Sequence, residues 1–115
     1  MPLLKLQTSA SLSEDKKKDL LLAASKILAR VTGKPESYVM TVVENATICM
    51  AGKVGPAAFV DVRGIGGLNQ KVNQQLSKEI GDLLKQELNI KPDNVYLNFT
   101  DVSAQNWGWN GSTFG

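Results

Sequence analysis

The chain has 115 residues, 43% of them hydrophobic, enough for one compact core without metals or bridges. Thirteen basic against eleven acidic side chains leave a net charge of +2, too weak a field to hold a polyanion, so nucleic acid is not an expected partner. The one cysteine, Cys49, excludes an internal disulfide framework and fits a reducing compartment. No apolar run approaches the roughly 18 residues that span a membrane, and no basic-then-apolar leader opens the chain. A leaderless cytoplasmic protein is expected, with non-classical secretion as its route outward.

Pro2 stands directly behind Met1. Inside a chain a proline nitrogen is an amide with no proton to exchange, whereas at a free terminus it is a secondary amine on a rigid ring. A small second residue is the usual condition for removal of an initiator methionine. In a chain without histidine, a processed Pro2 is therefore the best available proton carrier. Leu3 to Thr8 reads as a strand. Ser13 before Glu14 and Asp15 caps a helix whose apolar stripe, Leu20, Leu21, Ala24, Ile27, Leu28 and Val31, runs until Thr32-Gly33. A Lys34-Pro35 turn feeds a strand over Tyr38 to Asn45, and Phe59 to Val62 reads as the next strand.

Gly64-Ile65-Gly66-Gly67 then forms a strand-to-helix connection whose glycines indicate a tight turn; their spacing does not satisfy a dinucleotide fingerprint, so nucleotide binding is not expected. A second amphipathic helix starts near Asn69 and carries Val72, Leu76, Ile80, Leu83, Leu84 and Leu88 on its buried stripe. Lys91-Pro92 leads into a strand at Val95 to Thr100. The tail places Trp107, Trp109 and Phe114 around an Asn110-Gly111 turn signal, and aromatic tails of this kind pack on a neighbour or a pocket.

The two Lys-Pro turns lie 57 positions apart (91 − 34 = 57), and the flanking strands and helices overlay at that shift. The chain thus reads as one domain over 1–115, with repeats at about 2–50 and 58–102 and a tail at 103–115. Its expected class is α+β: duplicated β-α-β units forming a four-stranded mixed sheet with both helices on one face. The strands carry apolar residues on both alternations, so the open sheet face is expected to be an apolar patch covered by oligomerisation.

The N-terminal Met1-Pro2, the Thr32-Gly33-Lys34-Pro35 turn, the Gly64-Ile65-Gly66-Gly67 loop, the Val95-Tyr96-Leu97-Asn98 strand and the Asn110-Gly111-Ser112-Thr113-Phe114 end occur in order over nearly the whole chain. Together they resemble the macrophage migration inhibitory factor family of the tautomerase superfamily. The resemblance implies a homotrimer with a site at each subunit interface. It also implies keto-enol tautomerisation of phenylpyruvate-like or dopachrome-like compounds, with no metal and no cofactor. Carried over, Pro2 is the general acid/base. Lys34 and the Ile65 N–H hold the substrate carboxylate or carbonyl, and Tyr96 and Asn98 enter from the adjacent subunit; Trp107, Trp109 and Phe114 of the aromatic tail are further candidate substrate-binding residues.

Each assignment has a physical case and a plain alternative. Moving a proton between carbon and oxygen needs a base that is neutral near pH 7, and an apolar surround plus a cation such as Lys34 both lower an amine's pKa. Lys34 also fits an ordinary solvated lysine at a helix C-terminus, with Lys91 as its mate in the repeat. Free amides around Ile65 suit an anion. Tyr96 and Asn98 project from one strand face, which suits a pocket or interface packing equally.

Two departures bear on function. The family's cytokine members carry a Cys-x-x-Cys where this chain has Ala57-Ala58-Phe59-Val60, so thiol redox chemistry is not expected. Trp107 replaces a small aliphatic residue before Gly108-Trp109, and is expected to reshape the pocket mouth. The alternative function is a cytokine-like signalling or host-interaction protein, with a cell-surface receptor as partner and a vestigial tautomerase site. An RNA-binding domain is disfavoured because Lys16, Lys17 and Lys18 lie on a helix beside Asp15 and Asp19 rather than with aromatics on a sheet.

Overall fold

In the computed structural model, which describes residues 1–115, strand β1 (Leu3–Thr8) crosses through helix α1 (Glu14–Thr32) to β2 (Met40–Asn45). A hairpin of β3 (Cys49–Met50) and β4 (Lys53–Val54) precedes the second unit, β5 (Ala58–Gly64), α2 (Gln70–Leu88) and β6 (Val95–Asp101). The chain ends in a further hairpin, β7 (Gly108–Trp109) and β8 (Ser112–Thr113). The main sheet has the order β2-β1-β5-β6. β1 pairs parallel with β2 and β5 parallel with β6, while β1 and β5 meet antiparallel at the centre. This is the duplicated, mixed α+β architecture expected from the sequence.

The helices begin where a side chain satisfies free amides: Ser13 accepts from the Lys16 N–H and Asn69 from the Val72 N–H. They end on left-handed residues, Gly33 at φ 72° and Asn89 at φ 55°. Leu20, Ala24 and Leu28 of α1, with Leu76, Ile80 and Leu84 of α2, pack over Leu4, Leu6, Val60 and Val62 on one sheet face. Burying a leucine or valine of this kind contributes about 1.5–3 kcal/mol.

The structural repeat is 56 positions, not 57. Ser13 and Asn69, Leu20 and Leu76, Leu28 and Leu84, and Gly33 and Asn89 all keep that spacing (69 − 13 = 56). So do the strand partners, since Leu3 pairs with Met40 as Phe59 pairs with Tyr96. Side chains alternate along a strand with period two, so a one-residue slip inverts both faces and lays half-buried Leu3 over fully buried Val60. In register, the mate of Lys34 is Ile90, which is 0% exposed, and Lys91 is the mate of Pro35.

Strand β2 starts at Met40 rather than Tyr38 because residues 36–38 form a 3-10 turn, closed by Tyr38 N–H to Pro35 C=O at 3.1 Å and Val39 N–H to Glu36 C=O at 3.0 Å. The β3–β4 hairpin is an addition, its two-residue strands being too short to show alternation. The open sheet face is also more polar than expected. Lys5 Nζ lies 3.3 Å from Glu44 Oε1, Gln7 donates to the same oxygen at 2.7 Å, and Arg63 donates to Asp61 at 2.9 Å, with exposed Met40, Phe59 and Tyr96 among them. No helix is long and apolar enough to cross a membrane.

The β3–β4 turn places Ala51 at φ 56° beside Gly52 at φ 76°. A Cβ in the left-handed region costs about 1–2 kcal/mol. Ala51→Gly is therefore expected to raise unfolding free energy by roughly 0.5–1 kcal/mol in urea titration, the glycine's extra chain entropy offsetting part of the relieved strain.

Candidate active site

Pro2 is buried at the entry to β1, and its carbonyl accepts a hydrogen bond from the Met40 N–H at 3.1 Å. Around it opens a cleft of about 420 Å³ lined by Met1 and Pro2 and by the rings of Tyr38, Trp107, Trp109 and Phe114. The rings buttress one another. Tyr38 meets Trp109 edge-on at 5.7 Å, and Trp109 stacks on Phe114 at 5.5 Å with 13° between planes. The tail reaches this position through its hairpin: Asn110 and Gly111 take φ 51° and 78°, the paired positive values of a two-residue turn, and the Phe114 N–H returns to the Trp107 carbonyl at 3.1 Å.

The electrostatics of the terminus follow from this placement. The Met1 amine is held below its ordinary value of 8.0, first because burial disfavours the ammonium and second because the Lys34 charge repels it. Lys34 follows left-handed Gly33, and its stem drapes over the loop after β5. A Cβ at Gly67 would come within 2.9 Å of Lys34 Cε, and one at Gly66 within 3.9 Å of Nζ. A side chain at Gly67 would displace the lysine end, and both glycines hold positive φ, 67° and 79°. Lys34 belongs to none of the ion pairs of the protein, so its charge is not neutralised locally. In the same loop the Gly66 N–H is taken by Asp101 Oδ1 at 2.9 Å, while the Ile65 N–H has no acceptor in the protomer.

The residues singled out in the sequence thus fall into three groups. Pro2, Trp107, Trp109 and Phe114 share the cleft. Lys34 and the Ile65 loop lie together, with the lysine charge felt at the terminus. Tyr96 and Asn98 do not join them within one protomer; both are exposed on β6. Leu3 pairs with Arg63 and Arg63 with Thr100, so Tyr96 sits two strands across and four residues along from the Pro2 end. That is about 10 Å by about 13 Å at ordinary sheet spacings. Sequence reasoning missed Tyr38 and Asp101. Tyr38 read as the start of a strand, and Asp101 fell just past the end of the one expected over Val95 to Thr100.

A β-α-β unit given twice, with an aromatic cleft at the first residues of an interior strand, defines the tautomerase type of fold. The profile described as "Macrophage migration inhibitory factor (MIF)" matches residues 1–115. The chain is 38% identical to macrophage migration inhibitory factor of Meriones unguiculatus over 96 residues, covering 83% of this chain and 84% of that one. It is 34% identical to the Xenopus laevis protein of the same name over 116 residues, with 99% of each covered. A crystal structure of the macrophage migration inhibitory factor-like protein from Entamoeba histolytica superposes with a TM-score of 0.95 at 38% identity, covering 98% of both chains. The chain belongs to the macrophage migration inhibitory factor family. Members of this family are typically oligomeric, and membership supports a tautomerase or cytokine type of function.

The amine makes a prediction with a definite sign. Its native pKa is lowered, so between that value and about 8 the unfolded chain binds more protons than the folded one. Stability from this group is least below the native value, rises with pH through the window and levels off above 8. Lys34→Met is expected to raise the amine pKa only part of the way to 8.0, because burial is the larger cause. NMR titration of the Met1 amine checks the pKa change, and urea unfolding at a series of pH values checks the stability trend.

Proposed function

We propose that the protein is a keto-enol tautomerase for phenylpyruvate-like or dopachrome-like compounds, in which Pro2, freed by removal of Met1, is the general acid/base. The observation that carries this reading is an aromatic cleft that holds Met1 and Pro2 and lowers the pKa of the Met1 amine, first by burial and then by an unpaired lysine. A Pro2 amine would meet the same apolar surround and the same lysine charge, which both favour its neutral form and so its lone pair for a proton. From the keto form, the Pro2 nitrogen takes a proton from the carbon beside the carbonyl. The carbonyl becomes an enolate, stabilised by Lys34 and the Ile65 N–H, and the proton is delivered to oxygen. The reverse order makes the ketone. No electrons enter or leave, so the reaction itself calls for no redox partner.

The substrate's ring fits the stacked faces of Trp109 and Phe114, with Trp107 at the mouth. In this reading the assembly is a homotrimer, and Tyr96 and Asn98 serve a neighbouring protomer's site; their exposure on β6 leaves them available for it. A second reading, a signalling or host-interaction protein, follows the name carried by the vertebrate relatives.

Mass spectrometry of native material is expected to show Pro2 as the first residue, and an ultraviolet assay on enol phenylpyruvate to show turnover. Pro2→Gly should lower kcat/KM by about 10²–10⁴-fold, the usual worth of a positioned acid/base. Turnover that survives this change would remove Pro2 from the mechanism, whereas turnover lost with receptor binding kept would separate the two readings. Trp107→Val should change KM for phenylpyruvate by several-fold. Kinetics identical to wild type would show that Trp107 does not shape the mouth.

A further inference from the structure

We infer that Asp101 is a positioning residue for the anion end of this site, acting through the loop that carries Ile65. The inference rests on the tautomerase reading above. The chain turns from β5 into α2 through Ile65, Gly66, Gly67 and Leu68, a stretch with two residues at positive φ, 67° and 79°. Of its four amides, only the Gly66 N–H has a partner in the protomer, and that partner is Asp101 Oδ1 at 2.9 Å. Asp101 is itself a fixed point. It is the last residue of β6, paired with Gly64, and the next amide, Val102 N–H, donates to the Gly64 carbonyl at 2.8 Å.

The choice of amide is what makes the arrangement useful. A carboxylate on the Ile65 N–H would occupy the donor that a substrate anion needs. Asp101 instead ties down the neighbouring amide, so the Ile65 N–H stays free; the peptide that carries it is held at its Gly64 carbonyl by the Val102 N–H, and Asp101 fixes the next peptide along. The same anchor reaches Lys34, because the end of the lysine stem rests on Gly67, where a Cβ would come within 2.9 Å of Lys34 Cε and displace it. Without it, a Gly-Gly stretch open to both signs of φ has to be ordered each time a substrate binds, which weakens binding without altering the proton-transfer step. The carboxylate's charge has no favourable part in this, since a negative group beside an anion site opposes the ligand.

The comparison of Asp101→Ala with Asp101→Asn tests the role. In steady-state assays on phenylpyruvate, Ala is expected to raise KM by about fivefold or more with kcat within about twofold. Asn, whose Oδ1 can accept the same hydrogen bond, should keep KM at or below the wild-type value. Amide hydrogen exchange at Gly66 gives a readout independent of turnover: faster in the Ala variant, unchanged in the Asn variant. An unchanged KM in Asp101→Ala, an Asn variant that behaves like Ala, or Gly66 exchange unaffected by Ala would each overturn the proposal. Wild-type protein without Pro2-dependent turnover is a different failure, seen before any Asp101 variant is made; it removes the tautomerase reading and this role with it.

Discussion

The site depends on a chain terminus built into the middle of a sheet. First residues usually fray, because nothing beyond them holds them down. Here Leu3–Thr8 lies between β2 on one side and β5 on the other, so the opening segment is fixed by ladders along both edges. Proline suits the entry position: it has no N–H to leave unsatisfied when buried, and its carbonyl still closes the ladder to Met40. An amine at this point inherits the rigidity of the sheet and the low polarity of the surrounding rings. Both are conditions for a base whose position and protonation are set in advance of any ligand.

Duplication supplies the frame, and departures from it supply the site. At the true spacing of 56, Pro2 is the counterpart of Ala58 and Lys34 the counterpart of Ile90, both of which are core residues at 4% and 0% exposure. The residue just past a left-handed helix cap commonly turns an apolar side chain back onto the helix, and Ile90 does so. Lys34 occupies the same place after Gly33 and breaks the rule, putting a cation where its repeat has a plug. The aromatic hairpin at the C-terminus closes only the first unit's end. One half of the chain has therefore stayed structural while the other gathers a terminus, a lysine and three rings.

Much of this was legible in the sequence because it is written in local rules. Ser13 and Asn69 mark helix starts, the leucine stripes give the helix faces, and Asn110-Gly111 announces a hairpin. The register was not legible. Two Lys-Pro dipeptides offered a conspicuous match one position away from the structural one, and only strand pairing shows that the cap-to-cap spacing governs. That error concealed the contrast between Lys34 and Ile90, and made Lys34 look like one of a pair of turn lysines. The mixed character of the open face was partly hidden for a related reason, since Lys5 and Glu44 cannot be seen to neutralise each other until the strands are aligned, whereas Asp61 and Arg63 share a face two residues apart on one strand. Tyr38 and Asp101 lacked any sequence signal, because their parts depend on contacts across 71 and 35 positions, to Trp109 and Gly66.

In the proposed tautomerase, the lysine and the terminal amine would also constrain each other in a way that favours anionic ligands. Burial lowers the amine's basicity most, and Lys34 lowers it further through space. Together they shift the amine toward its neutral form, but a base weakened in this way is also a poorer proton acceptor. A carboxylate seated on Lys34 cancels the lysine's repulsion and leaves only the burial effect, so the amine becomes more basic as the ligand arrives. A neutral ligand of the same shape leaves the repulsion intact. Selectivity for a keto acid over a plain ketone would then reside partly in the proton-transfer step and not only in binding, with the ligand's own charge restoring the strength of the base it is about to use.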